Sequence, residues 1–370
     1  MPSLVAIGML FCLCSAVAFG QAPVHRDQSG ASAAQTSSST PVLTGSKPEE
    51  ASESDPALAE AKSLFEGGKF SEAEASTRQF LAGHADSAEG HFLLGHILFE
   101  EVHDRYAAEE KAEGESFAYS ENTAGELAKL RDAKARESLA EFSAGAKYGT
   151  PSAADLKTLA FDYVLLKGNA AAARSLTAAL KLQPNDAEGW FYLGRILYSQ
   201  DLFADAIQAF QHCLKLQPRN VLAEASVGLS YEGLKLTDEA AQAYQTAIDW
   251  EAQSDAKSPK PFIYLGRLYL TENQPEKAVP YLQQAAVKFS DVPPIHEELG
   301  RAYSGLNRLP EAQEELEKAV SLEPDVASVH FLLGQVYRKR GIMDKAKIEF
   351  QKAEELNGTH SSDGRQLGPQ

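Results

Sequence analysis

The sequence predicts an all-α protein, an α-solenoid of about eight stacked helix-turn-helix repeats. The first observation is a period: Gly194 and Gly228 are 34 residues apart, and Gly266, Gly300 and Gly334 follow one another at the same step. The second is that a small residue stands twelve positions after each glycine, and a large, mostly apolar residue stands four positions further on. This spacing is typical of two amphipathic helices that small residues allow to approach closely. Because one such pair cannot bury its own apolar face, the pairs must stack.

The N-terminal elements precede the period. Residues 4–19 are almost continuously apolar, but the run is shorter than the ~20 residues of a membrane-spanning helix. Small residues at Ala18 and Gly20 suit a signal peptidase, so residues 1–20 are interpreted as a cleaved signal peptide, although no Lys or Arg precedes the run. An uncleaved membrane anchor is the alternative. Residues 21–53 are rich in Ser, Thr, Ala and Pro, which predicts a disordered linker.

The period divides residues 54–357 into eight predicted repeats. Their predicted bounds are 54–87, 88–152, 153–186, 187–220, 221–254, 259–292, 293–326 and 327–357. Proline fits these bounds, because Pro218 ends a second helix and Pro275 stands near the start of one, where its missing N–H costs nothing. Residues 358–370 are predicted to be a disordered tail.

The second repeat contains the one large break in the period. Residues 103–133 are an insertion of 31 residues between its two helices, with eight acidic and four basic side chains. Good helix formers fill much of this segment, so one interpretation is two lengthened helices or a solvated loop. The other is an arm that binds a specific partner, because loops that interrupt a scaffold often carry function.

The repeated residues resemble those of the tetratricopeptide repeat (TPR) family. The resemblance extends over about residues 54–357 and is clearest in Trp190-x-x-Leu193-Gly194, Ala206-x-x-x-Phe210 and Pro218. It implies a right-handed superhelix of TPR units whose first helices line a concave groove. In the first repeat Glu60 and Thr77 occupy slots that are usually apolar, so a frayed cap is expected there.

The groove that the resemblance implies is expected to be basic and aromatic. On the TPR template the residue after the glycine faces the groove, and arginine recurs there. The predicted partner-binding residues are Arg195, Arg267, Arg301, Arg338, Phe92, Phe191, Ile263 and Phe331. Because guanidinium groups bind carboxylates bidentately, the hypothesis is a groove for acidic and apolar partner segments, and the alternative is an ordinary solvated face. Chaperone-binding TPR proteins use asparagines after the glycine, and none is present here, so that function is not expected.

Catalytic and metal-binding motifs are missing from the sequence. It contains no G-x-x-x-x-G-K-[ST], no H-E-x-x-H and no C-x-x-C. Signal removal leaves Cys213, in a slot where alanine is usual, and this predicts a buried, inert thiol. His91, His296 and His330 share one repeat slot with Trp190, which favours packing over metal binding. The chain is therefore predicted not to be an enzyme and to need no metal or cofactor.

The charge bounds the class of partner. Lys and Arg number 35 against 52 Asp and Glu, and the net charge of −17 argues against non-specific binding to nucleic acid or anionic lipid. We therefore expect a periplasmic or cell-surface scaffold that binds proteins or peptides, without stable membrane insertion after signal cleavage. The alternatives are a membrane-tethered envelope assembly factor and an accessory or regulatory subunit of an envelope enzyme. Self-association stays open, because no additional capping helix is predicted after the last repeat.

Overall fold

The computed structural model describes residues 55–113, 121–253 and 257–361. Within these ranges it contains sixteen helices and no strand, which confirms the predicted all-α fold class. No helix in the described ranges is both long enough and apolar enough to cross a membrane. The predicted signal peptide and linker lie outside the described residues.

The helices divide between two compact units. The N-terminal unit, which ends at Leu166, contains α1 (Pro56–Glu66), α2 (Phe70–Gly83), α3 (Ala88–Glu113), α4 (Glu121–Gly145) and α5 (Ala153–Leu165). The C-terminal unit begins at Lys167 and contains α6 (Asn169–Leu182), α7 (Ala187–Tyr198), α8 (Phe203–Leu216), α9 (Val221–Gly233), α10 (Thr237–Glu251), α11 (Lys260–Thr271), α12 (Pro275–Lys288), α13 (Pro293–Gly305), α14 (Leu309–Leu322), α15 (Ala327–Lys339) and α16 (Met343–Ser361).

Two layers of helices build the C-terminal unit. From the fourth repeat onward the two helices of each repeat pack together, and each first helix also packs against the second helix of the preceding repeat. The first helices α7, α9, α11, α13 and α15 touch one another in succession and so form one layer. This is the packing of an α-solenoid, in which each repeat contacts only its neighbours.

The glycines of the period set the distance between the two helices of a repeat. A Cβ built on Gly194 would lie 2.6 Å from Cε1 of Phe210, and one built on Gly266 would lie 2.6 Å from Cδ2 of Leu282. The large residue sixteen positions later therefore occupies the space that a side chain would need. In the second repeat the insertion separates the partners in sequence, yet Phe142 packs on Gly95 in the same way.

A left-handed backbone residue closes the turn inside the repeats. It stands seven positions after the glycine of the period, or after the alanine that replaces this glycine at Ala61 and Ala160. Two of these turn residues are Gly68 and Gly341, where φ is 71° and 78°. Glycine adopts this conformation without steric cost, and Asn and Asp tolerate it better than other residues. The same position also holds Lys167, Asp201, Lys235, Asn273 and Asn307, with φ between 54° and 63°.

The insertion in the second repeat lengthens both helices of the pair. With 26 and 25 residues, α3 and α4 run through the described part of residues 103–133, as in the interpretation of two lengthened helices. Residues 114–120 of the insertion lie outside the described ranges. At the other end of the chain α16 continues to Ser361, so residues 358–361, expected to be disordered, are helical.

A glycine-to-alanine change tests the spacing of the helices. In an ordinary helix this change stabilises a protein by up to about 1 kcal/mol. At Gly194 the new Cβ would collide with the buried Phe210 ring, so we expect Gly194→Ala to lower the free energy of unfolding by about 1–3 kcal/mol. Gly305→Ala is the control, because its Cβ would have no neighbour nearer than 3.5 Å. Denaturant unfolding followed by circular dichroism measures both, and a stabilised Gly194→Ala variant would contradict the explanation.

Candidate functional site

The candidate site is the solvent-facing surface of the first helices in the C-terminal unit. We call it the first-helix surface and define it by the predicted residues Arg195, Arg267, Arg301, Phe331 and Arg338. Arg195 is half-buried, and the other four are exposed. The structure therefore places every predicted arginine where it reaches solvent, but their surroundings differ.

Two of these arginines share one buried carboxylate. Nε of Arg267 donates to Oε1 of Glu298 at 2.8 Å, and Nη1 of Arg301 donates to Oε2 of Glu298 at 3.0 Å. The Glu298 side chain is 2% exposed, against 50% for Arg267 and 42% for Arg301. Burial acts to lower the pKa of Arg267, but the Glu298 carboxylate outweighs it and the pKa is raised. A carboxylate from a partner must therefore compete with Glu298 for these two guanidinium groups.

Further carboxylates surround this pair. Burial raises the pKa of Glu297, and the neighbouring charge of Glu298 adds to the rise, while Arg267 and Arg301 oppose it. Burial also raises the pKa of Glu232, against a hydrogen bond that Tyr244 donates to this carboxylate. The centre of the first-helix surface is thus a network of alternating charges, and the expected continuous basic stripe is not present there.

The two ends of the first-helix surface combine arginine with aromatic rings. The guanidinium carbon of Arg195 lies 6.0 Å from the ring centre of Phe191, which packs on Phe210. At the other end the guanidinium carbon of Arg338 lies 5.5 Å from the ring centre of Phe350. The Phe331 ring is 50% exposed, and its centre lies 5.6 Å from that of Phe350. Among the residues that the structure describes, no carboxylate forms an ion pair with Arg338.

Two of the predicted apolar anchors lie elsewhere. Ile263 is only 6% exposed and belongs to the core cluster of the C-terminal unit, so it offers no surface to a partner. The prediction that it projects into the groove is wrong, because other residues of this core cluster cover its side chain. Phe92 lies in the N-terminal unit, where it lines a cleft of about 360 Å³ with Lys62, His96 and Thr150.

The repeated histidines have the structural role that the sequence pattern favours, and they also form hydrogen bonds that the pattern does not predict. His91, His296 and His330 each place Nδ1 2.6 Å from a glutamate of the second helix in the same repeat. Their Nε2 atoms each hydrogen bond to the backbone carbonyl six residues earlier, and Trp190 donates its N–H to the equivalent carbonyl of Pro184 at 2.9 Å. In the described ranges no three His, Cys, Asp or Glu residues are grouped so that they could hold a metal ion.

Cys213 is buried, as the sequence predicts. Cys213 is unpaired and fully covered, and burial raises the pKa of its thiol to about 11. Since the thiolate is the reactive form, this thiol is unsuited to nucleophilic chemistry near neutral pH.

A buried carboxyl in the N-terminal unit has no counterpart in the sequence prediction. The Ser138 hydroxyl lies 2.9 Å from the Gly95 carbonyl oxygen and 2.6 Å from Oδ2 of Asp162. Its one hydrogen can serve only one of the two, so a proton on Asp162 allows both contacts. Burial raises the pKa of Asp162 well above its usual value, although the hydrogen bond with Ser138 acts to lower it. Oδ1 of Asp162 has no hydrogen-bond partner among the described residues.

The comparison with protein families decides the identity of the repeats. A family model for the tetratricopeptide repeat matches residues 58–121, 166–219 and 297–360. The chain is a tetratricopeptide repeat protein. The three matched segments fall on consecutive helices of the predicted repeats, and the resemblance found in the sequence is confirmed.

Several solved structures match this chain. The C-terminal part of a TPR repeat-containing protein from Cytophaga hutchinsonii matches with a TM-score of 0.54 and 13% identity, over 75% of this chain and 99% of that one. YrrB, described as a TPR protein with an unusual peptide-binding site, matches with a TM-score of 0.40 and 21% identity, over 51% of this chain and 95% of that one. MamA matches with a TM-score of 0.40 and 24% identity, over 46% and 97%. A search of curated protein sequences found no match.

The buried carboxyl of Asp162 predicts a pH dependence of stability. Because its folded pKa lies above the reference value of 3.8, the folded state binds the proton more tightly than the unfolded state. The stabilising contribution is fully present below about pH 3.8 and is lost as the pH rises through the folded pKa, by up to ~1.4 kcal/mol per pH unit. Asparagine keeps a donor for Ser138 without a titratable proton.

We therefore expect Asp162→Asn to be more stable than the natural protein at pH 7, with a difference that shrinks toward pH 4. Thermal unfolding of both proteins at matched pH values measures this difference. The matched control is Asp249→Asn, the same change at an exposed aspartate of α10. A difference that grows on acidification would show that Asp162 is ionised in the fold.

Proposed function

We propose that this TPR protein is a non-catalytic scaffold that binds a segment of a partner protein on the first-helix surface of its C-terminal unit. The observation that carries the proposal is that the exposed Phe331 ring and Arg338, a guanidinium with no carboxylate partner among the described residues, both lie against the Phe350 ring. TPR proteins as a family bind peptides and proteins. An uncovered aromatic ring and a cation that share one neighbouring ring are suited to an apolar side chain followed by a carboxylate.

The charge network supports an acidic partner segment. Arg267 and Arg301 are half exposed, although both form ion pairs with the buried Glu298. A carboxylate that arrives from solvent can accept the guanidinium N–H groups that Glu298 leaves unused, because each guanidinium carries five donors. The partner we propose therefore presents acidic residues to the arginines and an apolar residue to Phe331.

The proposed location is outside the cytoplasm, in a periplasm or at the cell surface. This proposal is supported by the apolar run at residues 4–19 and the small residues before Gln21. A membrane-tethered assembly factor would keep this run, and an accessory subunit of an envelope enzyme would be secreted like the scaffold. N-terminal sequencing of the mature protein should give Gln21 as the first residue, whereas a retained residue 1 would favour the tethered form.

The binding proposal is tested with the protein's own partner. Tagged full-length protein is purified from its own cells, the co-purifying protein is identified by mass spectrometry, and its affinity for the purified chain is then measured. We expect Arg301→Glu to weaken this affinity at least tenfold. Glu298→Gln should strengthen it about threefold or more, because it releases Arg267 and Arg301 from their internal carboxylate.

Two controls make the outcome specific. Arg174→Glu changes an exposed arginine on the second helix α6 and should leave the affinity unchanged. A variant that lacks residues 103–133 separates the first-helix surface from the insertion, since loss of the partner in this variant alone would make the insertion the recognition element. Equal affinities of the Arg301→Glu, Glu298→Gln and natural proteins would reject the first-helix surface as the binding site.

A further inference from the structure

The last repeat ends in a surface that elsewhere in the C-terminal unit is covered by the next repeat. At the junction between the fourth and fifth repeats, one apolar cluster joins seven residues of the fourth repeat to Val227, Tyr231 and Ala243 of the fifth. Two of the seven, Leu197 and Ala206, correspond to Tyr337 and Ala346 of the last repeat, which are buried. The other five are Phe191, Tyr198, Ile207, Phe210 and Leu214. The corresponding residues of the last repeat, which we call the end face, are Phe331, Arg338, Lys347, Phe350 and Glu354.

The end face keeps two aromatic slots and changes three others to charged residues. Phe331 is 50% exposed, and its ring contacts that of Phe350. Arg338, Lys347 and Glu354 are exposed. Among the described residues neither Arg338 nor Lys347 forms an ion pair with a carboxylate. A plain solubilising cap would need no exposed aromatic ring, so the mixed character of the end face points to a partner.

In two other repeats the residue that corresponds to Lys347 is polar, and a side chain of the following repeat forms a hydrogen bond with it. In the first repeat the slot holds Glu74, and Nζ of Lys134 in the second repeat donates to it at 2.8 Å. Burial acts to raise the pKa of Glu74, but hydrogen bonds from Lys134 and Arg78 lower it to about 2. In the seventh repeat the slot holds Gln313, which accepts a hydrogen bond from Arg340 of the eighth repeat.

The junction between the seventh and eighth repeats indicates which residues of a bound helix would face the end face. Arg340, which reaches Gln313, is the C-cap residue of α15. Seven residues earlier Leu333 is buried in the same cluster as Leu316, the residue of the seventh repeat that corresponds to Phe350. A helix that packs in the same way on the end face would place an apolar side chain on Phe350 and, seven residues later, a carboxylate on Lys347.

We propose that the end face binds an acidic amphipathic helix of a partner protein, in the position that the first helix of a ninth repeat would occupy. A second copy fits less well, because α1 exposes Pro56, Glu60 and Ser63 in slots where the internal first helices bury mostly apolar residues. The proposal rests on the proposed function in that the chain binds a partner protein. Phe331 and Arg338 belong to both surfaces, whereas Lys347, Phe350 and Glu354 belong only to the end face, and Arg267, Arg301 and Glu298 take no part in it.

The test uses a labelled synthetic peptide of residues 86–102 and the full-length protein. This peptide is a first helix in which Leu94 stands seven residues before Glu101, and Glu100 adds a second carboxylate. The matched peptide carries Lys in place of both glutamates. Fluorescence anisotropy should show at least tenfold weaker binding of the lysine peptide. Lys347→Glu should weaken binding of the acidic peptide at least tenfold and restore that of the lysine peptide.

The control is Lys345→Glu on the same helix, whose ammonium group lies 5.2 Å from the ring centre of Tyr337. It should leave both affinities unchanged. Equal binding of the two peptides, or no effect of Lys347→Glu, would overturn the proposal. Two further results would overturn it. Higher affinity for the peptide after removal of residues 362–370 would make the protein's own tail the occupant of the end face. A dimer of the natural protein that Lys347→Glu dissociates would make a second copy the occupant. Because Arg301→Glu changes only the first-helix surface, its failure in the partner assay is distinguishable from failure here.

Discussion

The contact between a glycine and a large side chain sixteen residues later is the constraint on which the other contacts of the array depend. Because Phe210 lies against the backbone at Gly194, the two helices of that repeat approach closely, and their remaining small residues become buried. The pair then exposes one apolar side, which the next repeat covers. Close packing of this kind tolerates little change in volume, so the spacing of the glycines carries more information than any single apolar residue.

Polar groups in this array join helices before they serve any partner. Glu298 holds two arginines, and the histidine slot ties a first helix to its second helix and to the preceding turn. A buried carboxylate between two cations costs less when both remain bound, so Glu298 fixes the arginines in place at the expense of their availability. Recognition on the first-helix surface is therefore a competition, and specificity follows from how well a partner replaces an internal ligand.

The period alone predicted the helices, their pairing and the slots that are buried, because these follow from spacing. It predicted that Arg267 and Arg301 reach solvent, but not that they share Glu298, since this glutamate occupies a slot where other repeats hold Tyr192 or Leu332. Ile263 was misjudged for a similar reason: its burial depends on which side chains of the core cluster cover it, and spacing does not encode those contacts. Asp162 gave no pattern at all, because its partner Ser138 belongs to a different repeat.

The net charge of −17 bears on how an acidic partner could approach such a protein. At physiological ionic strength charges are screened beyond about 8 Å, so repulsion by distant carboxylates contributes little once the two surfaces meet. The interaction is then decided by the charges of the end face itself, where the two positive charges of Arg338 and Lys347 outnumber the one negative charge of Glu354. Low salt would extend the long-range repulsion and slow the encounter, while high salt would weaken the short-range pairs. Association of an acidic helix should thus be strongest at intermediate ionic strength, which distinguishes it from a purely apolar contact.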